Sequence, residues 1–143
     1  MNYKFLSAAT IGFFDGVHCG HQYLIDEVKR LAQARGLKSM VITFDQHPRQ
    51  VLQADYVPQL LTTTQDKVRL LQSLGVDHVE VLHFTPEMAA LSAQQFMQQV
   101  LKERLGVRLL LIGYDHRFGH NRAEGFEQYV LYGREMGIDV VQN

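Results

Sequence analysis

A chain of 143 residues with 46% apolar and 20% charged content is long enough for one packed domain and too short for two of ordinary size. Its 14 basic and 15 acidic residues leave no basic excess for nucleic-acid binding, and the one cysteine, Cys19, excludes an internal disulfide or a multi-cysteine zinc site. No apolar run approaches the ~20 residues that cross a bilayer as a helix, and no charged segment precedes a signal-like core, so no membrane partner and a cytoplasmic location are expected.

Five strand-like runs alternate with helical stretches. Residues 5–12 read as a first, buried strand. Leu24, Ile25, Val28, Leu31 and Ala32 then recur at helical spacing, which predicts a helix over about 20–35 stopped by Gly36. Residues 39–44 form the second strand, with β-branched Val41 and Ile42, and 45–59 a loop punctuated by Pro48 and Pro58. A helix is expected from about Thr64, with Val68, Leu70, Leu71 and Leu74 as its apolar side and Gly75 as its end, followed by a third strand over 78–84. Ser92-Ala93-Gln94-Gln95 has the form of a capping box and opens a helix carrying Phe96, Val100, Leu101 and Leu105, stopped by Gly106. Residues 107–112 are a strongly apolar fourth strand, 113–125 a polar loop, 126–136 the last helix and 138–141 the fifth strand.

This alternation predicts an α/β fold, a Rossmann-like open parallel five-stranded sheet with helices on both faces. Right-handed crossovers bring the loops after strands one, two and four to one edge, where open α/β sheets bind ligands. No repeat, linker or low-complexity tract divides the chain, so residues 1–143 read as one domain. Its last strand has no helix after it, and a piece truncated at the C-terminus is therefore expected.

The stretch Thr10-Ile11-Gly12-Phe13-Phe14-Asp15-Gly16-Val17-His18-Cys19-Gly20-His21 lies where the first strand gives way to the first helix. Gly12, Gly16 and Gly20 permit tight turning and close backbone approach. His18 and His21, three apart, would share one face of a first helical turn. Free backbone N–H groups, the positive end of the helix dipole and two imidazoles together suit a phosphate. No nucleophile with an adjacent base is evident, which favours direct phosphoryl or nucleotidyl transfer by positioning and charge stabilisation. Asp15 is either a turn residue or a hydrogen-bond acceptor at the phosphate edge. Phe13 and Phe14 divide between core and pocket wall. A zinc pair at His18 and His21 lacks further ligands at familiar spacing, and no metal ligand is assigned.

The string Gly12-Phe13-Phe14-Asp15-Gly16-Val17-His18-Cys19-Gly20-His21 contains the HxGH signature of the nucleotidylyltransferase superfamily. As a whole it resembles the G-x-F-D-G-V-H-x-G-H wording of the adenylyltransferase module of bacterial bifunctional riboflavin kinase/FAD synthetases. Thr43-Phe44-Asp45-Gln46-His47-Pro48-Arg49 is similar to that family's T-F-x-x-H-P-R stretch, with Asp45 where glutamate is common. Leu60-Leu61-Thr62-Thr63 resembles its L-T-T, read mainly as a helix cap. The loop from Gly113 to Gly125 is similar to G-x-D-F-R-F-G-x-x-R-x-G, with His116 in place of an aromatic residue.

The resemblance implies transfer of AMP from ATP to FMN, giving FAD and pyrophosphate with Mg2+. It implies His18 and His21 as the catalytic pair, and Gly12, Phe13, Phe14, Asp15, Gly16, Gly20 and Arg117 around ATP and its phosphates. His47, Pro48, Arg49, Asp115, Phe118, Gly119 and Arg122 are implied on the flavin side. In that family a riboflavin kinase domain follows, and an S-T-x-I-R-type segment adds to the ATP site; neither is found in these residues. The expectation is a chain unable to phosphorylate riboflavin, with adenylyl transfer weak or lost. Two rivals are another HxGH nucleotidyltransferase of pantetheine-phosphate, nicotinamide-nucleotide or glycerol-phosphate type, and a fragment that binds nucleotide or flavin without turnover. Cys19 fills the variable HxGH position and carries no assigned role; His78, His83 and His120 carry none either.

Overall fold

The computed structural model describes residues 5–12, 14, 19–45, 64–83, 85–113 and 126–142, with backbone alone at 19–21 and 64. Five strands, β1 (Ser7–Ile11), β2 (Lys38–Phe44), β3 (His78–Leu82), β4 (Val107–Ile112) and β5 (Asp139–Gln142), form one sheet in the order β3-β2-β1-β4-β5. Every pairing is parallel, from Ile11 against Ile42 at the exit of β1 to Leu111 against Val141 beside β5. The helices are α1 (Cys19–Arg35), α2 (Thr64–Ser73), α3 (Pro86–Ala89), α4 (Ala93–Phe96), a π-helix (Met97–Arg104) that continues α4, and α5 (Phe126–Met136).

Side chains alternate across the sheet with the period of two that strand geometry imposes. Ala8, Val41, Leu109 and Leu111 face one layer, where they meet Leu24, Ile25, Val28 and Ala32 of α1 and Leu71 of α2. Ala9, Met40, Ile42, Leu110 and Ile112 face the other, against Phe96, Met97 and Leu101 of the α4–π run and Tyr129 and Met136 of α5. Both faces are thus covered, and β1, β2 and β4 are buried on both sides. That is the arrangement in which strands read as nearly unbroken apolar runs.

Gly36, Gly75 and Gly106 have φ of 67°, 89° and 68°, the left-handed region in which glycine closes a helix, at the three positions expected from the sequence. The capping box is formed as expected: Ser92 Oγ accepts from the Gln95 amide at 3.1 Å, and Gln95 Oε1 accepts from the Ser92 amide at 2.9 Å. Several expectations are corrected. β1 begins at Ser7 and not at residue 5, β3 ends at Leu82 and not at 84, and β5 is shifted one residue on. The helix opened by Ser92 widens to a π-helix after one turn, with the Leu105 amide bonded to the Val100 carbonyl five residues back. α3 was not expected, although Thr85 caps the Met88 amide at 3.1 Å and Pro86 stands in its first turn. Leu70 is 42% exposed, and the buried stripe of α2 runs instead through Lys67 and Leu71.

Two contacts close the fold at its far end. Asp77 Oδ2 accepts from the amide and hydroxyl of Ser39, at 2.9 and 3.1 Å, and the Asp77 amide donates to Ser39 Oγ at 2.9 Å. The Ser39 amide is the main reason that the Asp77 carboxyl sits below its ordinary 3.8; burial opposes the shift, and the Ser39 hydroxyl and Lys38 add to it. On the other side of the molecule, α5 and β5 approach at Gly133, where a Cβ would run into the Ile138 carbonyl oxygen and stand 2.9 Å from Val140 Cγ2.

Gly133→Ala is expected to destabilise by about 1–3 kcal/mol, read as a fall in Tm of roughly 3–10 °C. An unchanged melt would show that α5 can move away freely. Asp77 binds its proton more weakly folded than unfolded, so its contribution is complete above the unfolded value and is lost as pH falls through the lower folded one. Asp77→Asn should therefore melt below the parent chain at pH 7, and the gap should close as the pH drops below 3.8. A gap that stays constant with pH would assign the effect to something other than the carboxylate charge.

Candidate active site at the carboxyl edge of the sheet

β1 is the middle strand, and the chain leaves its two flanks in opposite senses. From β1 it passes through α1, on one face, to β2; from β3 it passes through α3, α4 and the π-helix, on the other face, to β4. α1 and α5, the helices that come after the neighbouring strands β1 and β4, pack on opposite faces of the sheet. The carboxyl ends of these two strands are thus the switch point at which open parallel sheets bind ligands.

At the exit of β1 the Gly12 amide donates to the Ile42 carbonyl at 3.0 Å, extending the ladder one residue past the strand. Phe14 then has φ of 56°, a left-handed conformation unusual for a bulky residue, and is only 3% exposed. Its ring packs across Gly12, where a Cβ would lie 3.1 Å from Cε2 and Cζ. α1 begins at Cys19, so Gly20 and His21 occupy its first turn. A helix that begins at the carboxyl edge directs its first-turn amides and the positive end of its dipole there, which suits an anion. Thr10 Oγ1, fully buried two residues before Gly12, has no hydrogen-bond partner among the described residues.

Of the residues singled out from the sequence, the structure describes Gly12 and Phe14 just after β1, and the backbone of Gly20 and His21 in the first turn of α1. Phe13, Asp15, Gly16, His18, His47, Pro48, Arg49, Asp115, Arg117, Phe118, Gly119 and Arg122 lie outside the described residues. Their segments leave the described chain at Phe14, Asp45 and Gly113, each just beyond the carboxyl end of β1, β2 or β4.

Two features at the same edge escaped the sequence reading. His83 Nδ1 lies 2.6 Å from Asp45 Oδ2, which joins the exits of β3 and β2. The signal was the register: Phe44 pairs with Leu82, so the next residues of each strand stand side by side. Lys67 is 2% exposed and its Nζ donates to the Phe44 carbonyl at 3.0 Å. It was legible only as a lysine four residues before Leu71 on the buried stripe.

A cavity of about 430 Å3 opens at the opposite edge of the sheet, lined by Lys29, Gln33, Lys38, Ser39 and Asp77 among others. It receives the carboxyl ends of α1 and α2, whose dipoles disfavour anions. Lys29 Nζ is already bound to the Leu74 carbonyl at 2.7 Å, and Asp77 to Ser39. Helix dipoles therefore make this edge the less favourable one for a phosphate. Among the described residues, no three His, Cys, Asp or Glu side chains gather to hold a metal, and no helix is long and apolar enough to cross a membrane.

Comparison with known proteins agrees with this geometry. Residues 3–143 match the family model described as FAD synthetase. A bifunctional riboflavin kinase/FMN adenylyltransferase of Escherichia coli K12 is 38% identical over 131 residues, covering 92% of this chain and 42% of that protein. The protein of the same name from Listeria monocytogenes is 40% identical over 121 residues, covering 81% of this chain and 37% of its own length. The chain thus spans less than half the length of these curated relatives. A crystal structure titled macrolide-efflux protein from Streptococcus pneumoniae superposes with a TM-score of 0.82 at 27% identity, over 96% of this chain and 46% of that one. A universal stress protein from Archaeoglobus fulgidus, at 13% identity and a TM-score of 0.50, shares the fold alone. With the family model spanning nearly every residue, the chain belongs to the FAD synthetase family.

Proposed function

We propose that residues 1–143 form an FMN adenylyltransferase domain, which transfers AMP from ATP to the phosphate of FMN and releases pyrophosphate. The observation that carries the reading is the place of the Gly12–His21 string: it lies between the end of β1 and the first turn of α1, at the switch point of a parallel sheet. The names of the relatives, FMN adenylyltransferase in each case, supply the acceptor. ATP as the donor assigns the reaction to the cytoplasm. The same relatives are also named riboflavin kinases, an activity that in this family resides in a second domain.

In this mechanism ATP lies along the turn, with its phosphates over the first turn of α1 and its adenine beside the glycines. Gly12, Phe13, Phe14, Asp15, Gly16, Gly20 and Arg117 surround it. FMN occupies the side of the carboxyl edge served by His47, Pro48, Arg49, Asp115, Phe118, Gly119 and Arg122. An FMN phosphate oxygen attacks the α-phosphorus of ATP in line; the new P–O bond forms as the bond to pyrophosphate breaks. His18 and His21 donate hydrogen bonds to the phosphate oxygens and stabilise the charge that grows on the departing pyrophosphate. Mg2+, carried on the phosphate oxygens, would supply further charge neutralisation there; the described residues offer it no cluster of their own and no protein ligand is assigned.

Incubation of the chain with ATP, Mg2+ and FMN should give FAD, followed by chromatography, and His21→Ala should lower the rate by roughly 10²–10³-fold, the usual effect of losing a donor to developing charge. A rate unchanged in His21→Ala would remove the histidine from the mechanism. Turnover of pantetheine phosphate, nicotinamide mononucleotide or glycerol phosphate in place of FMN would move the chain to another branch of the HxGH enzymes. Gly12→Ala forces the Phe14 ring to yield by a few tenths of an ångström. It should cost about 1 kcal/mol of stability but more than about tenfold in FAD synthesis, because the turn that aims the phosphate site moves with the ring. Equal FAD synthesis in Gly12→Ala and parent would contradict the importance of that turn.

A further inference from the structure

Among the described residues, two buried side-chain oxygens have no hydrogen-bond partner, Ser7 Oγ and Thr10 Oγ1, both on β1. Buried hydroxyls are nearly always paired, because leaving water without gaining a partner costs free energy. The two stand toward opposite ends of the strand and, by the alternation of its side chains, on opposite faces. Ser7 shares its face with Ala9 and Ile11, and smallness alone accounts for a serine there.

Thr10 has no such account. Valine has nearly the same shape without the oxygen and forms strands as readily. The register partners of Thr10, Val41 on β2 and Leu111 on β4, are aliphatic members of the α1-side core. In packing terms the hydroxyl is a cost that a second methyl group would remove.

What distinguishes the position is its place beneath α1. Thr10 shares the face of Ala8, which packs in the α1 layer. α1 begins at Cys19 and runs back to the amino edge, where the Leu37 amide closes on the Ala32 carbonyl and the Lys38 amide on Leu6. Thr10, the last residue of β1 on that face, is therefore at the same end of the layer as the first turn of α1. The amides of that turn have no partner within the helix and suit an anion. An anion seated on them brings acceptor oxygens, to which a hydroxyl donates more strongly than to a neutral group.

We propose that Thr10 is a further binding residue of the nucleotide site: its hydroxyl, unpaired within the protein, donates to an oxygen of the ATP phosphate chain over the first turn of α1. The proposal rests on the FMN adenylyltransferase reading above, which seats those phosphates there. Thr10 is fully buried, so nucleotide binding parts the strand end from the helix start by enough to admit one oxygen. FMN binding alone gains nothing from this hydroxyl.

The test is Thr10→Val in the full chain, with Thr10→Ser and Ser7→Ala beside it. ATP and FMN are titrated separately, and each variant is melted without nucleotide. Thr10→Val should melt at or above the parent and bind ATP about tenfold more weakly, with FMN affinity unchanged. Thr10→Ser, which keeps the hydroxyl, should stay within a few-fold of the parent for ATP even where its melt falls. Ser7→Ala should leave ATP binding as it is. Unchanged ATP affinity in Thr10→Val, or an equal loss in Thr10→Ser or Ser7→Ala, would overturn the role. So would a Thr10→Val melt far below the parent, which would show the hydroxyl already bonded inside the protein, to a buried water for instance. Failure of the nucleotide reading itself would show separately, in an unmodified chain that takes up no ATP, and would overturn the role of Thr10 with it.

Discussion

Parallel hydrogen bonding of Ser7–Ile11 to β2 on one side and β4 on the other fixes where the chain can leave the sheet. All five residues of β1 are buried, and small side chains at Ser7, Ala8 and Ala9 let both helical layers approach it. With β1 in the middle, the crossover to β2 and the return to β4 must run over opposite faces. The switch point at the carboxyl edge follows from that topology and requires no further device.

Just after β1, Gly12 and Phe14 carry a second constraint. A bulky residue in the left-handed region costs on the order of 1–3 kcal/mol. Burying a phenylalanine ring returns about 1.5–3 kcal/mol. At Phe14 the two are of one size, so the ring in the α1-side core holds a backbone that the dihedral preference alone would reject. Gly12 is required beneath it because no Cβ fits without displacing the ring. Stability and site geometry are therefore coupled through two neighbouring residues.

Much of this was legible in the sequence. The strands announced themselves as apolar runs, and the glycines at 36, 75 and 106 marked the helix ends because few other residues adopt positive φ at low cost. That the chain leaves β1, β2 and β4 at one edge of the sheet followed from the alternation of elements. The misses have physical causes. Residue type placed Leu70 on the inner side of α2, but the stripe is set by which side chains meet the sheet, and the long stem of Lys67 serves there as well as an aliphatic residue. The widening after Phe96 left no mark because α- and π-turns draw on the same residues. The Asp45–His83 contact depends on pairing register, which is invisible until two strands are known to be neighbours. For the proposed phosphate and flavin residues, most of which lie outside the described residues, the expectation rests on the string and its resemblance, since spacing alone suggests an anion pocket without naming the anion.

The central claim is that both substrates are handled at the carboxyl edge, where β1 and β4 part. Amide chemical-shift mapping of the labelled chain, first with ATP and then with FMN, tests it without relying on turnover. The account predicts the largest shifts at Gly12, Gly20, Asp45 and Gly113, with Leu37, Ser39, Gly75 and Asp77 at the opposite edge unmoved. Shifts concentrated instead around the cavity of Lys29, Lys38 and Asp77 would contradict it and place the ligand where the helix dipoles are least favourable.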